Sequence, residues 1–232
     1  MKGWFCIKRF IMKVKDFING IIIGKRGNMI YYVRNGKMYM RRYAIPGKKR
    51  KWEIEGMPPK QREMTVRFAA VQMFYKEYMK QVSPLVWRVI AKPRGMMAPN
   101  LFNSMNFHCF DGSGEITDFE GFHFTAGMLA LPRDISVVPE GERFRVTWQE
   151  ERDWSTAART DVMQVGVLYD DLTRSPRLAV EVAGTRGDLA GEFALDSSIG
   201  QSAHVYIFFA GADNSEFSSC WYGRAEIPGK GV

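Results

Sequence analysis

The residues best able to do chemistry in this 232-residue chain fall into a few groups, and spacing weakens most of them. Gly20-Ile-Ile-Ile-Gly24-Lys25 sets glycines before a lysine, as a phosphate-binding loop does. It is one residue short of that motif, Arg26 stands where a metal-binding Ser or Thr is needed, and β-forming residues follow, so a plain turn is expected. Residues 109–120 align with a twelve-residue calcium loop, with Asp111 at position 3, Ser113 at 5, Gly114 at the sharp turn and Glu120 at 12. Cys109 at position 1 is a poor ligand for a hard cation, and the flanks do not read as two helices, so this too is expected to be a turn. His108, Cys109 and His123 lie close in sequence, yet no Cys-x-x-Cys or His-x-x-x-His pair exists. Histidines at strand edges, held by backbone, are the expectation. His204 precedes an apolar strand and reads as structural. Asp170-Asp171 follows a strand end, where Asp side chains mimic turn hydrogen bonds. There is no Gly-x-Ser-x-Gly elbow and no Ser-x-x-Lys pair. Without a grouped nucleophile, base and orienting residue, no enzymatic activity is expected, and no metal, cofactor or small-molecule substrate.

The remaining chemistry is electrostatic. Lys25, Arg26, Arg34, Lys37, Arg41, Arg42, Lys48, Lys49, Arg50 and Lys51 gather around Tyr32 and Tyr39. Cations interleaved with aromatic rings suit a phosphate backbone and stacked bases. The simpler reading is a solvated face, or one that docks on acidic protein, because charge alone carries no specificity.

These side chains need a scaffold, and the clearest local signal supplies one. Met29–Arg34 and Lys37–Tyr43 are β-rich runs joined by Asn35-Gly36, a pair that tolerates the positive φ angles of a two-residue hairpin turn. That turn predicts the pairs Arg34–Lys37, Val33–Met38, Tyr32–Tyr39 and Tyr31–Met40. One face, with Tyr31, Val33, Met38 and Met40, is expected to pack inward; the other is cationic and aromatic. Pro58-Pro59 then opens a helix of about 22 residues. Its predicted apolar stripe is Met64, Phe68, Val71, Tyr75, Tyr78 and Val82. Ser83-Pro84 ends it and starts a shorter helical piece through Leu85, Trp87 and Ile90, with residues 92–104 read as linker.

Beyond residue 119 the hydrophobic period changes to two. Strands are expected at 128–131, 144–148, 163–169, 178–182, 189–195, 205–209 and 219–225, with Trp148 in the core. Seven short strands at this spacing argue a β-sandwich. The fold class is therefore α+β: a basic hairpin-helix region over 12–92, a linker over 93–104 and an acidic all-β sandwich over 105–228.

Charge follows the same division. Residues 1–100 carry 23 Lys or Arg against 5 Asp or Glu, and residues 101–232 carry 10 against 20. So sharp an asymmetry indicates two parts with different partners. Oppositely charged parts also predict salt-sensitive self-association through Arg34, Lys37, Arg41 and Lys48–Lys51. Three widely spaced cysteines, Cys6, Cys109 and Cys220, give no disulfide framework. Lys8, Arg9, Lys13 and Lys15 interrupt any secretory apolar core, and Met12 would serve equally well as a start. No apolar run approaches the ~20 residues of a membrane helix, so a soluble protein is expected, cytoplasmic or part of an assembled particle.

The chain resembles a Bacteroidetes family defined by a domain of unknown function. The likeness rests on Gly20, Gly24-Lys25-Arg26-Gly27-Asn28, Tyr31-Tyr32, Arg34-Asn35-Gly36-Lys37, Tyr39 and Arg41, followed by Gln61 and Arg67-Phe68. It departs from the family at Lys48–Glu55 and in residues 1–11. The C-terminal part is similar to fibronectin type III and immunoglobulin-like sandwiches, through Trp148, Tyr169, the run from Tyr206 to Ala210 and the Ser-rich final turn. The resemblance implies architecture, and for the sandwich a spacer or contact role. A non-catalytic assembly or protein-interaction protein, of a phage-derived or surface structure, is the leading expectation; nucleic-acid binding through the basic hairpin is the alternative.

Overall fold

The computed structural model describes residues 23–34, 36–43, 57–149, 156–170, 172 and 175–227. It divides into two units, residues 1–56 and 57–232. Among the described residues of the first unit, β1 (Gly24–Arg26), β2 (Met29–Arg34) and β3 (Lys37–Arg42) form one antiparallel sheet in that order. The β2–β3 register is the one the hairpin turn predicts, from Arg34 opposite Lys37 to Tyr31 opposite Met40. Gly36 has a φ of +71°, the conformation that makes glycine the natural residue there.

The second unit opens with α1 (Pro59–Gln81), α2 (Val86–Ala91) and α3 (Ala98–Asn106). Pro59 sits at the first helical position, where its missing N–H is no loss, and Pro84 follows the end of α1. Among its described residues eight strands follow: β4 (Ser136–Glu140), β5 (Arg143–Thr147), β6 (Val162–Tyr169), β7 (Arg177–Leu178), β8 (Val180–Ala183), β9 (Ala190–Ala194), β10 (Ser202–Ala210) and β11 (Trp221–Glu226). They make two antiparallel four-stranded sheets, ordered β11-β10-β6-β7 and β4-β5-β9-β8.

The sheet containing β10 and β6 is the middle layer of three. Met163, Val165, Val167, Val205, Ile207 and Phe209 meet Phe144, Val146 and Phe193 of the other sheet. Leu168, Tyr206 and Phe208, alternating with them, face the helical side, where Phe122 and Phe124 of the loop after α3 pack on Tyr206 and Phe122 in turn meets Phe102 of α3. Burial on both faces explains why Val205 to Ala210 of β10 reads as an unbroken apolar run. Trp148 lies in the inter-sheet core, edge-on to Phe209 at 5.1 Å, and donates its indole N–H to Arg186 O at 3.0 Å.

Several expectations need correction. The boundary falls at residues 56–57, so α1 belongs with the sandwich and not with the hairpin. Residues 93–104 are not simply a linker, since Ala98–Asn106 is a helix that buries Leu101 and Phe102. Its Asn and Pro content hides a strong apolar face, and tertiary packing overrides weak propensity. Met64 and Phe68 are more than half exposed; α1 instead turns Val66 and Ala70 toward the turn at Gly114, and buries Val71, Tyr75 and Tyr78. Leu85 is likewise exposed, ahead of the buried Trp87 and Ile90. Residues 128–131 form only an isolated bridge at Leu129. β4 was not expected, because Pro139 interrupts its pattern; the strand tolerates proline because it lies at a sheet edge.

Candidate anion-binding sheet

Strand alternation sorts the three-stranded sheet into two faces. The pairs Lys25–Ile30, Ile30–Arg41, Tyr32–Tyr39 and Arg34–Lys37 place Lys25, Arg34, Lys37 and Arg41 on one face with both tyrosines. The Tyr32 and Tyr39 rings stack with centroids 5.7 Å apart and planes 20° apart, and both are exposed. At the other end of this face the Lys25 ammonium lies 3.4 Å from the centroid of the Tyr43 ring. The segment from residue 23 to 43 contains no Asp or Glu, so nothing within it neutralises the field of these cations. Such a surface can hold anionic oxygens with its cations and planar groups against its rings.

The opposite face carries Tyr31, Val33, Met38 and Met40, with Arg26 and Arg42 at one end. It does not pack inward as expected: Met38 is 56% exposed and Met40 66%. A small sheet has one layer only, and the described residues of this unit supply no second layer for this face. Lys25 stands within a strand, with no helix N-terminus behind it for a phosphate. Lys48, Lys49, Arg50 and Lys51 lie outside the described residues, as do residues 18–22 of the glycine-rich segment and Asp171. The structure thus brings together Lys25, Tyr32, Arg34, Lys37, Tyr39 and Arg41, and sets Arg26 and Arg42 on the reverse.

The second unit answers the remaining candidates. The calcium-like loop is a turn closed on itself, in which Asp111 Oδ1 accepts the N–H groups of Ser113, Gly114 and Glu115 and the Ser113 hydroxyl. The Ser113 hydroxyl and these backbone donors hold the Asp111 carboxyl below its ordinary value. His123 is not beside Cys109 as a ligand; its backbone N–H and C=O are clamped by the buried Asn106 side chain, at 2.7 and 3.1 Å. Burial lowers its imidazole, aided by the charges of His108 and Arg94. His108 Nε2 lies 3.4 Å from Cys109 Sγ, and Asp118 joins them, a residue that sequence spacing had not grouped with the pair. Burial, reinforced by Asp118, pushes the Cys109 thiol up to about 12, which makes it a poor nucleophile.

His204 is packed between the Phe119 ring, parallel at 3.8 Å, and the Tyr222 ring, whose hydroxyl lies 2.9 Å from Nδ1. Asp170 is bound by the Ser202 hydroxyl, which also accepts Arg224 at 3.1 Å. A cleft lined by Leu129, Thr156, Asp161, Asp213 and Glu216 holds other carboxylates. There Asp161 is taken by Arg186, and Asp213 accepts the Ser215 N–H. No helix among the described residues is long and apolar enough to cross a membrane. Family models, curated proteins and solved structures were all compared with the chain, and none matches.

Proposed function

We propose that this is a non-catalytic interaction protein, a component of an assembled particle, whose N-terminal sheet is a contact element for an anionic partner. The observation that carries the reading is the segregation of Lys25, Arg34, Lys37 and Arg41 with two exposed tyrosines on one sheet face, in a segment without an acidic residue. An acidic protein surface, a second copy included, meets that face by charge complementarity, which sets on-rate and partner choice more than affinity. The stacked Tyr32–Tyr39 pair favours a second reading, single-stranded nucleic acid, since exposed rings among cations are where bases stack.

The second unit reads as an immunoglobulin or fibronectin type III-like module. Lettering β4 to β11 in chain order as A, B, C, C′, D, E, F and G turns the two observed sheets into A-B-E-D and G-F-C-C′. That strand order supports the reading, because immunoglobulin-type sandwiches place A, B, E and D opposite C, F and G. Its core Trp148 directly follows strand B, a departure from the strand C position of antibody domains. A module of this kind is a frequent spacer or contact domain, and fold alone assigns no more.

The test is binding of the full chain to fluorescent single-stranded and duplex DNA at several salt concentrations, beside light scattering of the protein alone across the same series. Four cations on one face predict a log–log salt slope of about −3 to −4 if all reach phosphates. Micromolar DNA binding with that slope, weakened by Tyr39→Ala, selects the nucleic-acid reading. Scattering that reports salt-weakened self-association, lost in Arg34→Glu/Lys37→Glu, selects the protein-contact reading. If the double charge reversal changes neither measurement, the sheet is not the contact element.

A further inference from the structure

We propose that His108 Nε2, Cys109 Sγ and a carboxylate oxygen of Asp118 form a binding site for a zinc-class divalent cation. The donor set is one imidazole nitrogen, one sulfur and one oxygen, the mixture that borderline-soft zinc accepts and that calcium or magnesium does not. All three donor atoms lie within 4.8 Å of one another, and the nitrogen and sulfur are 3.4 Å apart. Tetrahedral zinc, with its usual bond lengths to sulfur and imidazole nitrogen, requires about 3.6 Å between two such ligands. The N–S pair therefore already has the span of one tetrahedral edge, and a modest rotation of the exposed His108 or of the Asp118 carboxylate closes the rest.

The donors are also positioned by contacts of their own. Residues 110–117 fold back on themselves through the Phe110–Ile116 bridge and the Asp111 N–H to Glu115 O bond. The Thr117 and Asp118 N–H groups then donate to Cys109 O at 2.9 and 3.3 Å, which returns Asp118 to the cysteine. Asp118 Oδ1 accepts the Gly121 N–H at 2.8 Å, and a side chain at Gly121 would collide with Oδ2. Glycine at 121 thus leaves room for the carboxylate. The buried Asn106 ties the chain just before His108 to His123 on the far side of the loop. Cys109 is wholly buried whereas His108 is exposed, so the bound ion has sulfur on its inner side and an open fourth position toward water. With the thiolate and carboxylate ionised, two negative charges balance the dication.

Cobalt(II) is the probe, because its bond to a thiolate gives a charge-transfer absorption in the near ultraviolet and four-coordination gives intense visible bands. The full, reduced chain titrated with cobalt should show both, and zinc should displace them. Cys109→Ser should abolish the charge-transfer band, while His108→Ala and Asp118→Asn should weaken cobalt binding by about tenfold or more. Cys6→Ser and Cys220→Ser should leave the spectrum unchanged. His108 is exposed, so its alanine variant keeps the core intact and decides the matter even if Cys109→Ser fails to fold. A chain that gives no thiolate band, or one whose band survives His108→Ala at full affinity, overturns the proposal.

Discussion

Arg186 gives the sharpest energetic prediction. Its side chain is 3% exposed and that of its partner Asp161 4%, with Arg186 Nε donating to Asp161 Oδ2 at 3.0 Å. A second guanidinium nitrogen donates to Ala130 O at 2.6 Å, and the cation sits 4.6 Å from the Phe209 ring centroid. In Arg186→Met most of the apolar stem remains, but Asp161 keeps only the Ala158 N–H of these donors while still buried, and Ala130 O loses its partner. Removing one member of such a pair costs about 3–5 kcal/mol, because the surviving charge is left uncompensated. A unit of this size loses about 2–4 °C of melting temperature per kcal/mol, so the drop should be about 6–20 °C. Urea unfolding followed by far-ultraviolet circular dichroism measures it, provided the denaturant slope is unchanged. The double variant Arg186→Met/Asp161→Asn should recover much of the loss, since no charge stays buried. A single-variant cost below about 1 kcal/mol, or a double variant as unstable as the two single losses added, would refute the account of a paired buried charge.

Other outcomes follow from different parts of the molecule. A Cβ at Gly127 would occupy the position of the Phe217 carbonyl, so Gly127→Ala should cost about 2–3 kcal/mol or more, while Gly141→Ala, with open space but a φ of +63°, should cost about 1–2 kcal/mol by urea unfolding. Gly36→Ala meets no atom and strains only the backbone, so it should weaken the N-terminal sheet by about 1–2 kcal/mol, read as loss of Tyr32–Tyr39 cross-strand contacts by NMR. Burial chiefly, and Arg224 next, hold His204 below the ordinary histidine value near 6.5, against the opposing pull of Asp170. The unfolded chain therefore binds its proton first, stability is full above pH ~6.5 and falls as the pH drops toward the folded value, and His204→Phe should flatten that part of the pH–stability curve.

How much of this was legible in the sequence depends on the range of the interaction that decides each element. The hairpin register is local: Asn35-Gly36 sets it, and Arg34 opposite Lys37 follows without any tertiary information. The alternation of Phe144, Val146 and Trp148 is equally local, because only one face of that sheet is buried. α3 was illegible for the opposite reason. Asn100, Asn103 and Asn106 speak against a helix individually, and only the aromatic cluster of Phe74, Tyr75, Tyr78 and Trp87 around Phe102 outweighs them. Trp148 was placed correctly, yet its hydrogen-bond acceptor, the carbonyl of Arg186, is 38 residues away and carries no sequence signature.

The same argument separates the two candidate sites. The cationic sheet face was readable because every residue on it lies within one hairpin and its neighbouring strand, where period-two alternation alone assigns sides. Spacing could not find the His108–Cys109–Asp118 group, because motif rules presume that ligands are set by a helix or a tight turn. Here a nine-residue return is needed, closed by backbone bonds from Thr117 and Asp118 to Cys109 O. The one available hint was Gly121. A glycine three residues after an aspartate reads as an ordinary turn, and only the position of the Asp118 carboxylate over its Cα gives it a second purpose. Gly121→Ala therefore separates the two readings of that segment. If the turn alone needs glycine, the variant loses stability and cobalt affinity falls no further than that instability explains. If the glycine makes room for Asp118, cobalt affinity falls in protein that remains fully folded at the temperature of the titration.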